Sequence, residues 1–440
     1  MADDLGGRVA VIGAGYAGLA CAVELADAGI GVDVFEASRT LGGRARAVRI
    51  NDGPEGISVD NGAHILVGAY RETLRLMKKV GADGTALRRE NLHLEFPGHV
   101  RIAAPSLPAP LHLAWALLFA RGLSVADKFA AIRFMRVQQA RHFRIERDMS
   151  AADLFAAHRQ PERVRRFLWE PLCLAALNTP VAIASARVFL NVLRDSLAAD
   201  REASDLLLPA TDFSKLFPAP AARFLEAHGG RVFRSARIRG LEKTGAGWTA
   251  TGDQAYGPYA HVVLAVAPYH LAPLLSSHTE FAPLIEHVGH LDWQPIVTCY
   301  LAYPEATRLP FAMAGVMGGH AQWLFDRGAL CGQHGLLAAV ISGDGPWQQL
   351  GHEALAIAIH HEIERLLPGL PTPRHSHVIE EKRATFACTP ALERPLTHTA
   401  NPTVWLAGDY VAGDYPATIE GAVRSGIAAA RQVRTTLNRS

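Results

Sequence analysis

The sequence predicts an α/β protein in which a Rossmann-type unit is joined to an α+β unit carrying a helical insertion. Three observations predict it. An apolar run containing Val9, Val11 and Ile12 leads into Gly13-x-Gly15-x-x-Gly18 and then into residues of helical spacing. A second apolar run, "GVDVFEA", ends on the acid Glu36. Near the other end, "VWLAGDYVAGDYPATIEGAVRSGIAAARQV" reads again as strand, turn and helix. With 440 residues, 49% of them hydrophobic and 20% charged, the chain is long and apolar enough for two folded units with large cores.

Taken in order, Val9, Val11 and Ile12 form a buried strand. Leu19, Ala22, Val23 and Ala26 then repeat at helical spacing, and Gly29 ends that helix. Between them lies the turn Gly13-Ala14-Gly15, with Ala17 and Gly18 opening the helix. Such a turn lets the backbone approach a pyrophosphate that the helix N-terminus stabilises. Glu36, followed by Ala37, lies where a carboxylate accepts hydrogen bonds from an adenosine ribose and repels a 2′-phosphate. These features point to a dinucleotide, and NAD and FAD both use them. The next motif discriminates. Arg39-x-x-Gly42-Gly43-Arg44 resembles the second signature of FAD proteins in the flavin amine-oxidoreductase superfamily. There, two glycines bring the backbone close to the pyrophosphate and an arginine adds charge-assisted hydrogen bonds.

Residues 105–200 are rich in Ala and Leu, with charges such as Lys128, Arg133 and Arg136 between them, and predict helices. "GGRVFRSARIRGLEKTGAGWTATG" and "YAHVVLAVAP" read as strands closing on a buried one. The resemblance returns this segment to the FAD-binding unit, with Ile238 against the adenine. "PIVTCYLAY", "QWLFDR" and "GLLAAVIS" make 290–345 strand-rich, and "HEALAIAIHHEIERLLPGL" is an amphipathic helix. Its adjacent His360 and His361 lack HExxH spacing and are read as surface or core histidines.

In the last segment Gly408-Asp409 makes the turn, and Ile419, Val423, Ala430 and Val433 give the helix one apolar face. Gly421 and Gly426 keep that helix thin where something approaches closely. This segment resembles the superfamily's last FAD motif. The resemblance implies Asp409 beside the ribityl–pyrophosphate region, and the helix start at Ala417, Thr418 and Ile419 beside the flavin's pyrimidine edge. The FAD-binding unit is therefore read as 1–75, 220–272 and 380–440, and the substrate-binding unit as 76–219 and 273–379.

Other classes are disfavoured by composition. A formal net charge of +2, with no basic run, makes no case for nucleic acid. The five cysteines are scattered without metal-ligand or disulfide spacing, which fits a reducing, cytoplasmic location. "MADDLGGR" carries acids where a signal peptide needs positive charge. No apolar stretch reaches the length of a membrane span. The stretch 107–123, "LPAPLHLAWALLFARGL", reads either as a core helix or as a segment lying peripherally on the inner face of the cytoplasmic membrane.

The reaction is read from the remaining segments. Amine oxidases of the superfamily place a tyrosine where this chain has Thr418, and Cys388 does not sit where their flavin-linking cysteine would. The resemblance thus implies non-covalent FAD and argues against amine oxidation. "VDNGAHILVGAY" (59–70), "FLWEPLCLAALNTP" (167–180) and "KRATFACTPAL" (382–392) are similar to the squalene-associated FAD-dependent desaturases, or hydroxysqualene dehydroxylases. Two positions depart from that pattern: Ala63 stands where glutamine is expected, and Ala69 where cysteine is expected. The resemblance implies a long-chain isoprenoid lipid substrate and a flavin contact from Gly62, Ala63 and His64. It also implies dehydroxylation with hydride from reduced flavin. No motif identifies the electron donor.

Loss of hydroxide needs a proton donor in an apolar pocket. Glu170, flanked by Trp169 and Pro171, is the first candidate; Asp60 and His64 are the others. For Glu170 the alternative is a carboxylate satisfied by backbone amides at a turn. Trp169, Trp323 and Phe325 are read as core residues or as aromatic faces for a cation. Three further functions stay open: a carotenoid-type desaturase running hydride the other way, a flavin amine oxidase, which Thr418 disfavours, and a prenyl-lipid-binding module without flavin chemistry, as in the related GDP-dissociation-inhibitor fold.

Overall fold

A computed structural model describes residues 7–50 and 56–438; Asp3 and Asp4 of the acidic opening stretch lie outside them. Five strands form one parallel sheet in the order Arg231–Phe233, Val32–Phe35, Val9–Ile12, His261–Leu264, Val404–Leu406. The central three are buried at every residue, so they read as continuous runs rather than as alternating ones. The chain leaves Val9–Ile12 through the helix Tyr16–Asp27 towards one side, and fills the other side only with His261–Leu264. That reversal is a topological switch point, where ligands of open α/β sheets bind beyond the carboxyl ends of the strands.

Asp33 is the one acid in these runs. Its carboxylate accepts hydrogen bonds from Arg231 Nε at 2.9 Å, from the Tyr259 hydroxyl at 2.8 Å, and from Arg8. Burial opposes its charge, but the hydrogen bonds hold its pKa below the ordinary carboxylate value. The cluster pins three sequence-distant segments at the sheet edge.

The closing helix Ile419–Leu437 packs against Tyr16–Asp27 so tightly that a Cβ on Gly426 would lie 2.1 Å from the Ala17 carbonyl oxygen. What approaches Gly426 is therefore the first helix. Glu420, fully buried, accepts from the amides of Glu72 and Thr73 at 3.1 and 2.9 Å and from the Thr73 hydroxyl at 2.7 Å. It anchors the start of the helix Arg71–Lys79, where a carboxylate is favoured.

The other large sheet is antiparallel, in the order Met313–Gly315, Trp323–Asp326, Leu336–Ser342, Trp293–Ala302, His375–Phe386. Its side chains alternate between two cores. Val297, Cys299, Leu301, Ala339 and Ile341 pack with the helix His352–Leu366. Ile296, Tyr300, Ala338, Val340, Trp323 and Phe325 join a different core. That second core also holds Ile12, Phe35, Leu264 and Leu406, the last residues of four strands of the parallel sheet. One face of the parallel sheet, which also includes Ala10, Val262 and Val404, and the inner face of the other sheet thus share one apolar interior.

Helices occupy most of residues 105–200. Arg165–Trp169 is a π-turn leading into the helix Glu170–Leu177, with the Glu170 amide donating to the Arg165 carbonyl. Pro171 has no amide proton and its ring crowds the preceding turn, which is a physical reason for the turn to widen there.

Candidate active site

Three glycines of the first turn are needed for different reasons. Gly13 has φ +107, and a Cβ on it would lie 2.5 Å from the Ala265 carbonyl oxygen. A Cβ on Gly18 would lie 2.0 Å from the Gly13 oxygen. The protein's own packing requires both. Gly15, with φ −73, suits any residue, and the nearest atom to an added Cβ is Gly43 Cα at 3.9 Å. Its missing side chain leaves room for a ligand rather than for protein. The second glycine turn lies alongside: the Gly42 amide donates to the Ala14 carbonyl at 2.9 Å, and Gly15 and Gly42 form a parallel bridge.

Glu36 accepts from the Ala14 amide at 3.0 Å and from the Ser38 amide at 2.8 Å. These bonds fix the carboxylate at the strand end and leave lone pairs for ribose hydroxyls. The segment leading to buried Ile238 runs beside it, with the Ala236 amide donating to the Glu36 carbonyl at 2.8 Å. Ala37 and Arg39 are exposed.

Arg44 joins the two ends of the chain. It donates to Asp409 Oδ1 at 2.5 Å and to the Ala384 carbonyl at 2.7 Å. Burial opposes its charge, and the Asp409 carboxylate more than offsets that, so its pKa lies above the ordinary arginine value. The Gly408 amide donates to Ser425 Oγ at 2.8 Å, and Arg394 holds the following loop through the carbonyls of Asp409 at 3.3 Å and Tyr415 at 2.9 Å. Thr418 caps the closing helix, accepting from the Gly421 amide at 3.1 Å, with Ala417 and Ile419 half-buried beside it. Arg394 carries no sequence signal for this role; only the fold brings it to the loop.

The segment 60–64 lies next to Arg44. Asp60 is buried; its Oδ1 accepts from the Phe213 amide at 2.7 Å and its Oδ2 lies 3.8 Å from Arg327 Nη1. The Tyr300 hydroxyl donates to the Asp60 carbonyl at 2.7 Å, tying this segment to the antiparallel sheet. Desolvation pushes the Asp60 carboxyl up to about 7. Gly62 is buried, and Ala63 is half-buried against the shared core. His64 Nδ1 is enclosed without a protein partner, and burial, aided by the Arg44 charge, lowers this imidazole to about 4. Of the three candidate proton donors, Asp60 thus has one hydrogen bond, from the Phe213 amide, and a distant ion pair with Arg327, and His64 is neutral at pH 7. A buried carboxyl that titrates near neutrality has the protonation a general acid needs, whereas a neutral imidazole is a weak proton donor. Ala69 is buried, its amide donating to the Ala203 carbonyl at 3.0 Å.

The Asp60 shift predicts a pH dependence. A carboxyl raised in the folded state stabilises the protein below its unfolded pKa, and that contribution is lost as pH rises through about 7. Asp60→Asn keeps the acceptor for Phe213 but does not titrate. Between pH 5 and pH 8 the wild type is expected to lose stability relative to this variant by on the order of a few kcal/mol. Parallel unfolding midpoints across that range would contradict the shift.

Glu170 lies on the same helical stripe as fully buried Cys173 and Leu177. Its ion-pair partner is Arg165, with Nε 3.6 Å from Oε1, and among the described residues no hydrogen bond or ion pair joins it to Asp60 or His64. Burial, then Cys388 and Glu170 nearby, push the Cys173 thiol up. The end of this helix is tied to the site: Asn178 Nδ2 donates to Thr385 Oγ1 at 3.0 Å, and the Cys388 amide donates to Thr179 Oγ1 at 2.9 Å. Ala384, next to Thr385, is the residue whose carbonyl Arg44 holds.

Two facing glycine turns with an open cradle, a fixed acid at the second strand and the Arg44–Asp409 pair fit a flavin dinucleotide. So do the unpartnered buried atoms His64 Nδ1 and Tyr410 Oη. Gly15 and Gly43 would flank its pyrophosphate, Glu36 its ribose, and Arg44 and Asp409 the region between.

Known proteins agree with this fit. A hydroxysqualene dehydroxylase of Rhodopseudomonas palustris is 30% identical over 434 residues, spanning 96% of this chain and 97% of that protein. One from Sinorhizobium fredii is 29% identical over 443 residues, spanning 96% and 97%. A zeta-carotene desaturase of Zea mays is 26% identical over 475 residues, spanning 95% of this chain and 82% of that protein. Among solved structures, an oxidoreductase from Methanosarcina mazei superposes with a TM-score of 0.72 at 14% identity, covering 96% of this chain and 100% of that one. The profile of the family described as flavin containing amine oxidoreductase matches residues 16–434. The chain belongs to that family and is an FAD-dependent oxidoreductase.

Proposed function

We propose that this protein reduces hydroxysqualene to squalene. One observation carries the reading: the strands that run into the switch point share, through Ile12, Phe35 and Leu264, one apolar interior with the inner face of the antiparallel sheet, which suits a hydrocarbon substrate. Relatives named hydroxysqualene dehydroxylase, matched over nearly their whole length, support it. Bound in its reduced state, FAD supplies a hydride. With that hydride supplied, the allylic C–O bond would break with its electron pair on oxygen, a proton from the protein would convert the leaving group to water, and the carbon would gain the C–H bond. Glu170 is the proton donor in this reading: its half-buried side chain starts the stripe that continues through buried Cys173 and Leu177, and it accepts from no backbone amide among the described residues. Trp323 and Phe325, on the inner sheet face, offer aromatic faces to the allylic cation.

The test is anaerobic mixing of the reduced holoenzyme with hydroxysqualene. Flavin reoxidation matched by one squalene per flavin is expected. Flavin that stays reduced, with no squalene, overturns the reading. Similarity to the zeta-carotene desaturase favours the opposite direction as the competing outcome: oxidised flavin bleached by a polyene, with a new double bond in the lipid.

A further inference from the structure

Nine large apolar side chains stand exposed among the described residues, and six of them, Leu111, Trp115, Leu118, Phe119, Val125 and Phe129, fall in one short segment. They lie on or just beyond the helix Leu111–Leu118 and on the first turns of the helix Val125–Ala140. The other side of the first helix, with buried His112 and Ala116, packs on the core. Trp115 and Phe119 lie ring against ring at 4.1 Å, and Phe129 is 68% exposed. An apolar patch of this kind on a soluble surface marks a contact with a partner or a membrane.

Charge selects the occupant. Arg133 and Arg136 continue the same exposed helix face as Val125 and Phe129, and Arg121, Arg141, Arg144 and Arg147 are exposed nearby. Between residues 107 and 147 there are seven Lys or Arg against two Asp or Glu, although the whole chain carries only +2. One of those two acids, Asp127, is buried in the capping box with Ser124. Val125 and Arg136 are separated by about 16 Å of helix. An apolar tip with a basic collar at that distance matches a bilayer, the rings entering the acyl boundary while the guanidinium groups stay among anionic headgroups. A second copy of the chain would bring the same basic collar against itself. No helix among the described residues is long and apolar enough to cross a membrane.

We infer that this face docks the protein peripherally on an anionic bilayer. The inference rests on the proposed function for its purpose, since a long hydrocarbon substrate is drawn from a bilayer. The test is flotation of the holoenzyme with vesicles of phosphatidylcholine alone or of phosphatidylcholine with phosphatidylglycerol. The protein is expected to float with the anionic vesicles, and about tenfold less with neutral vesicles or in high salt. Trp115→Ser with Phe129→Ser is expected to reduce flotation about tenfold or more while flavin content and circular dichroism stay unchanged. Arg133→Glu with Arg136→Glu is expected to remove the preference for anionic lipid. Protein that floats with neither vesicle overturns the inference. So does a dimer that Trp115→Ser with Phe129→Ser dissociates in the absence of flotation, because the face then joins two copies. Squalene formation in detergent micelles is independent of docking, so an inactive protein that floats sinks only the reaction, and an active one that never floats sinks only the docking face.

Discussion

Gly15→Ala is expected to fold normally and to lose FAD affinity by about a hundredfold or more. The backbone at this position is already in a conformation open to any residue, and a methyl group would make only ordinary contact with Gly43. The folded chain therefore has no objection to alanine. The ligand does, because the methyl would stand in the narrow approach between the two glycine turns, where the helix N-terminus has to meet the pyrophosphate directly. Gly18→Ala provides the contrast. Its methyl would be driven to 2.0 Å from the Gly13 oxygen, so this variant should lose folding stability whether or not flavin is present. Flavin absorbance and thermal unfolding of both apoproteins, followed by FAD titration, separate the two effects. Tight flavin binding by Gly15→Ala would remove the cradle from this surface.

That contrast also marks how much of the site was legible in the sequence. Gly13, Gly15 and Gly18 were legible as one turn because turn chemistry is local; which of them serves the fold and which the ligand became clear only from their neighbours. Arg44 and Asp409 each stood in a readable motif, yet their ion pair spans 365 residues and depends on how the two sheets meet. Asp60 reads as a candidate proton donor, and nothing nearby in sequence announces its contacts with Phe213 and Arg327. Gly426 read correctly as a point of close approach, but its neighbour is the first helix. For the stretch 107–123, composition alone leaves a core helix and an interfacial one indistinguishable, because both are apolar on several faces. The exposure of Trp115 and Phe119 removes the core reading, and Val125 and Phe129 extend the patch into the helix that also carries Lys128, Arg133 and Arg136.

Glu170→Gln is expected to slow squalene formation by about 10² to 10⁴ in a single turnover, the range a positioned general acid supplies. Hydroxide leaves poorly from carbon, so removing the donor should fall on the C–O cleavage step and leave substrate binding largely intact. Glutamine preserves the size of the side chain and can still sit beside Arg165, so flavin content and unfolding midpoint should match the wild type. A merely structural role would move neither the rate of this step nor its pH profile. A donor role predicts that the limb of the profile on which the wild-type rate falls with rising pH disappears in Glu170→Gln, and that Glu170→Asp restores part of both. The helix geometry sharpens the test: Cys173 and Leu177 share the stripe with Glu170 and are fully buried, so the carboxylate has to point along that stripe to reach the interior. Were Glu170→Gln to turn over at the wild-type rate with an unchanged pH profile, the proton would have to come from elsewhere. Asp60, whose buried carboxyl is pushed up to about 7, would then be the next donor to replace, and Asp60→Asn would be expected to show the rate loss that Glu170→Gln did not.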